Sequence, residues 1–241
     1  MDGSRADDAG QLERRLREAI SMEDHRQVVQ LATMLLNTDP APSTLWYWRA
    51  RAQFCLGNIP ESVRDFDRYH ELEPERRSRQ WERGIALYYA GRHEDGAKQF
   101  ELYQTYHDND VENSVWRFLC LVPTVGREKA RETMLPIRRD PRVPMMPIYD
   151  LYRGAGTLEQ VWEAVESGDP SPEALAGRRF YAQLYVGLYH EARGETELAR
   201  KHILQAADDH TETEGINRYM WEVARVHAER FRQGTNENDR R

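Results

Sequence analysis

Eight histidines and two cysteines are the residues most able to bind metal or act as nucleophiles, and their spacing sets them in no recognisable site. His190 and Glu191 lack the second His that zinc-protease chemistry needs, and His202 and His210 stand eight apart, too far for one chelating pair on a helix. These histidines are expected on the surface. Asp108, Asp110 and Glu112 alternate as calcium ligands do, yet the turn glycine of a calcium loop is absent, so an inter-repeat loop accounts for them. Gly154-Ala155-Gly156-Thr157 faintly resembles a phosphate loop, but no strand precedes it, no Lys follows in place and a third Gly is missing. Cys55 and Cys120 each sit in an aromatic or aliphatic stretch and read as buried thiols. No Ser or Cys has a recognisable activating neighbourhood. The expectation is a non-enzyme with no catalytic residue, no metal and no cofactor.

Composition narrows the partners. With 34 Lys+Arg against 41 Asp+Glu the net charge is -7, which lacks the basic footprint of a nucleic-acid binder. Six Trp and twelve Tyr are more aromatic surface than a disordered chain carries. No apolar run approaches the ~18 residues of a membrane span. The chain opens without the apolar segment of a secretory signal, so the expected address is cytoplasmic, or periplasmic and outer-membrane if a lipoprotein signal has been removed.

What must position these residues is a repeat. Gly57 and Gly91 differ by 34, as do Phe66 and Phe100, Tyr69 and Tyr103, Ala50 and Gly84, Arg49 and Arg83, and Pro40 and Pro74. A period of ~34 belongs to the tetratricopeptide helix-turn-helix unit, so the expected fold is all-α, a TPR-type solenoid. In residues 43–76, Ser43 caps a first helix carrying Trp46 and Ala50, Gly57 ends it in the left-handed conformation, Pro60 opens a second helix and Pro74 closes it. Residues 77–110 repeat the scheme, and 180–213 form a third copy with Gly187 at the close-packing position and Gly194 at the turn.

Around these copies, residues 11–42 form a degenerate N-terminal repeat and 111–135 another, its second helix running over 128–135. Residues 136–179 are an irregular linker with short helices, since four prolines fall between 136 and 147. Short helices are expected at 148–153 and 158–166, the latter opened by a Thr157–Gln160 capping box, and a further helix starts at Ser171-Pro172-Glu173. Residues 214–232 make a capping helix, and 1–10 and 233–241 are expected to be disordered.

The segment Arg83-Gly84-Ile85-Ala86-Leu87-Tyr88-Tyr89-Ala90-Gly91-Arg92, with Ser114-Val115-Trp116 after it, resembles the NlpI-like TPR lipoproteins of Gram-negative bacteria. The resemblance runs from roughly residue 46 to 207. It implies a homodimeric adaptor at the inner face of the outer membrane that docks a periplasmic protease and cell-wall hydrolases and brings substrate to enzyme. Family members carry a lipidated Cys near the start, and neither Cys55 nor Cys120 stands there.

In a TPR array the first helix of each unit lines the concave side, which makes Tyr47, Arg51, Phe54, Trp81, Ile85 and Tyr88 the candidate groove for a protein or peptide partner. Two readings stay open: an accessible aromatic groove, or side chains covered by another helix or a second subunit. The scaffold has two rivals, a cytosolic regulatory TPR module that senses a peptide or small ligand, and an enzyme whose site is assembled from Tyr149, Asp150, Tyr152 and Arg153 within 138–166.

Overall fold

The computed structural model describes residues 2–238, and every regular element among them is helical. The chain divides into two compact units, Met1–Arg92 and His93–Arg241, and the division falls inside the 77–110 repeat expected from the sequence.

In the first unit, α1 (Asp2–Ser21), α2 (His25–Thr38), α3 (Ser43–Cys55), α4 (Ile59–Leu72) and α5 (Trp81–Tyr89) pack each on the next, with a 3-10 segment at Pro74–Arg79. Helices α1 and α2 form an apolar cluster from Leu16, Ala19, Val28, Leu31, Ala32 and Leu35, to which α3 adds Ala52. Positions 2–10, expected to be disordered, belong to α1, and α13 below likewise takes in positions up to 238; Met1 and residues 239–241 lie outside the described residues.

Ser43 does not cap α3. Pro42 occupies the cap, and the Ser43 hydroxyl instead donates to the Glu73 carboxylate at the far end of the hairpin. At the other end of α3 the Gly57 N–H bonds to the Phe54 carbonyl (2.8 Å) and the Asn58 N–H to the Gln53 carbonyl (2.9 Å). This doubly bonded stop needs the left-handed backbone that Gly57 adopts at φ +79°. The same pair of bonds recurs at Gly91, Gly154 and Gly194. Helix α5 starts four residues later than expected, because Pro74 directs the chain into the 3-10 segment first.

In the second unit, α6 (His93–Gln104) packs on α7 (Val111–Val125), and α7 on α8 (Arg127–Glu132) and α9 (Met145–Tyr152). Then α10 (Leu158–Glu166), α11 (Pro172–Ala192), α12 (Thr196–Asp208) and α13 (Arg218–Asn238) follow, each packed on its predecessor. Helix α8 stops at Glu132, short of the expected 135, and the chain runs on without helix into the Pro136 segment. Helix α9 starts three residues before the expected 148. It tolerates Pro147 because a first-turn residue has no helical partner for its N–H.

Helix α10 has the expected bounds and the expected capping box. The expected boundary at 179/180, by contrast, cuts through the middle of α11, whose N-cap is Ser171. Gly187 of α11 lies against α12 so closely that a Cβ there would sit 2.8 Å from Ile203 Cγ1 and 3.2 Å from the Ile203 backbone N.

Candidate functional site

The six candidate groove residues do not form one open surface. Phe54 and Ile85 are both 0% exposed, the Phe54 ring centroid 5.3 Å from that of Tyr89 in an edge-to-face contact, so neither is available to a partner. Tyr47, Arg51, Trp81 and Tyr88 are half-buried.

Two of these four are tied to a residue the sequence did not single out. The Tyr47 hydroxyl donates to Glu82 Oε1 (2.8 Å), and Arg51 Nη1 donates both to that hydroxyl (2.8 Å) and to Glu82 Oε1 (3.2 Å). Burial pushes the Glu82 carboxyl up, with the Arg51 guanidinium pulling the other way. Burial also raises the Tyr47 phenol, and the Glu82 charge adds to it. Arg51 stacks over Trp48 at 5.3 Å, while Tyr47 lies 5.3 Å from Tyr69. The motif locks α3 to α5.

A second set of arginines carries the 34-residue period in its contacts. Arg49 Nη1 donates to Thr33 Oγ1 (3.1 Å), Arg83 Nη2 to Asp67 Oδ1 (2.6 Å) and Arg117 Nη2 to Glu101 Oε1 (2.7 Å). Each arginine reaches sixteen residues back, and both series, 49/83/117 and 33/67/101, advance by 34. Arg49 and Arg117 also reach sixteen residues forward, to the Asp65 carboxylate (2.7 Å) and the Thr133 carbonyl. Only Arg49 and Arg83 were visible as a pair in the sequence. Arg117 stands at the same offset, and the partner series 33/67/101 could be found by testing that offset on polar residues too.

The irregular middle is held by a charge cluster. Arg142 donates to Asp110 (2.7 Å), Glu112 and Asp140 (2.6 Å), and Tyr185 of α11 donates to the other Glu112 oxygen. Asp110 caps α7 through the Glu112 N–H, and Asp140 accepts from the Val111 N–H, so the positive end of α7 helps one guanidinium balance three carboxylates. The Arg142 bonds hold the Asp140 carboxyl below the usual range despite its burial, whereas burial and the Asp110 charge push Glu112 up. Glu112 is a half-buried residue of α7, which corrects the inter-repeat loop expected for it.

The other chemistry-bearing candidates also have structural work to do. Tyr149 accepts from the Ile137 N–H and donates to the Leu135 carbonyl, and Tyr152 donates to the Tyr185 carbonyl (2.8 Å). Arg153 pairs with Asp150 (2.8 Å). Gly154 to Thr157 is a joint that stops α9 and caps α10, and Gly156 lies directly against Asp150. His190, His210 and His227 are buried, not on the surface as expected; His190 stacks parallel to His202 at 5.6 Å and bonds to Glu195. Both cysteines are buried thiols, and burial pushes Cys120 up.

No protein-family model matches the chain. Among the described residues no helix is long and apolar enough to cross a membrane.

Proposed function

We propose that this chain is a tetratricopeptide-type repeat protein that acts as a non-enzymatic scaffold, holding partner proteins beside one another in the manner of the NlpI-like adaptors it resembles. The observation that supports the reading is the arginine series, whose contact recurs with the 34-residue period expected of a tetratricopeptide repeat. The recurring left-handed glycines at 57, 91 and 194 support it. Stacked hairpins create extended surface and few deep pockets, which suits docking better than turnover. A homodimer and a protease or cell-wall hydrolase as partner come with the resemblance.

The test is affinity capture with the full chain from native extract, followed by reconstitution with the captured protein in purified form. Direct binding of purified partner, and sedimentation at twice the chain mass, are the expected results. A tightly held small molecule in native mass spectrometry with no protein partner would overturn the scaffold.

A further inference from the structure

The α11–α12 hairpin of the second unit carries two imidazoles stacked across it. His190 of α11 and His202 of α12 are parallel to within 6°, with ring centroids 5.6 Å apart. His190 is only 5% exposed and His202 is half-buried. Glu195 Oε2 accepts from His190 Nδ1, and Gln183 Oε1 accepts from His202 Nδ1 (2.6 Å). Each ring thus keeps its one proton on Nδ1 when neutral, and a second proton must go to Nε2.

The two rings differ in what would receive the added charge. Beside His190 stands the Glu195 carboxylate, which it shares with Arg193 (2.7 Å). His202 has an amide oxygen in that place, and the charges acting on it are cations, Lys201 and a protonated His190. From α10, Trp162 lies over His202 (5.9 Å), where its ring attracts a cation but offers no counter-ion. From α9, Tyr152 packs on Tyr189 (5.4 Å), whose ring meets His190 edge-on, while α7 reaches α11 at Tyr185 through Glu112. From α13, His227 pairs with Glu191 (3.2 Å). Burial, with the two cations adding to it, lowers His202 from its ordinary 6.5 to about 4.

We propose that the His190–His202 stack is an acid-sensitive latch on the α11–α12 hairpin, closed while His202 is neutral and opened by its protonation. Opening turns the new imidazolium to water and frees it from the fixed distance to His190 and Lys201. The hairpin has no slack with which to avoid this, because Gly187 already lies against the Ile203 side chain and backbone. The inference holds whatever the chain binds.

Hydrogen exchange on the full chain from about pH 7.5 down to about pH 4.5, corrected for intrinsic rates, tests it. In the wild type the opening constant of the α12 amides should stay level to about pH 6.5 and then rise by up to about tenfold per pH unit. His202→Gln should remove most of that rise in α12 and leave the pH slope of α2 in the first unit unchanged. A purely structural role for His202 would instead lower α12 protection equally at every pH. Long-range proton–nitrogen spectra of the wild-type imidazoles should put the proton on Nδ1 of both rings at neutral pH and show His202 titrating well below 6.5. Should His202→Gln misfold by circular dichroism, these spectra and the wild-type exchange profile carry the test. An α12 opening constant indifferent to pH, an unchanged slope in His202→Gln, or native-state titration of His202 near 6.5 would overturn the proposal.

Discussion

An alanine at position 187 would have nowhere to put its methyl group, because Ile203 stands 2.8 Å from where the Cβ must go. Gly187→Ala should therefore cost ~1–3 kcal/mol in urea denaturation, with Ile203→Val recovering part of it. The same substitution at Gly57 meets nothing within 4 Å and fails for another reason, its φ of +79°, at ~1–2 kcal/mol. No change to a neighbouring side chain should rescue that one. Histidine protonation sets a pH dependence. His70 and His202 are both lowered from 6.5 to about 4, burial being the larger cause in each. The unfolded chain thus takes up protons first, and stability present above pH 6.5 is lost as pH falls from there towards 4. Glu112 works in the opposite direction, since a raised carboxyl favours the folded state on protonation. Melts across this range should show a lower Tm in acid, and His202→Gln should flatten the slope.

Helices reveal themselves in sequence where a local signal starts and stops them. Thr157 with Gln160, Ser171 before Pro172, and the left-handed glycines are such signals, and α10 and the start of α11 were legible to the residue. The failures have a common cause: contacts distant in sequence. Nothing local announces that Ser43 will bond to Glu73, or that Glu82 will sit beneath Tyr47 and Arg51. Helical phase likewise places Phe54 and Ile85 on a face but says nothing of what covers it, and both are buried in the structure. At this scale the Arg142 cluster is the test. Arg142→Met removes the cation between Asp140, Asp110 and Glu112, and with Arg142 partly in solvent we expect a loss of about 1–3 kcal/mol. Adding Glu112→Gln should restore some of it, as measured by a double-mutant cycle.

Across the molecule, the period of 34 was readable in glycines and aromatics but not in the polar contacts that share it. Hydrogen exchange should report the division at Arg92 as two sets of protection factors, the slowest amides of the second set lying in α7, α11 and α12. A single protection level across both sets would contradict that division. Glu112 and Tyr185 add a different consequence, for the order in which the chain is made. Seventy-three residues separate them, more than twice the span of the other long-range bonds described. A chain emerging from the ribosome carries Glu112 and its Arg142 partner before the tyrosine has been synthesised, and at that stage the Glu112 oxygen that Tyr185 will bond is left to water. Arrest of translation before residue 185 would leave that face of α7 solvated, so the nascent second unit settles its middle only when its closing hairpin arrives.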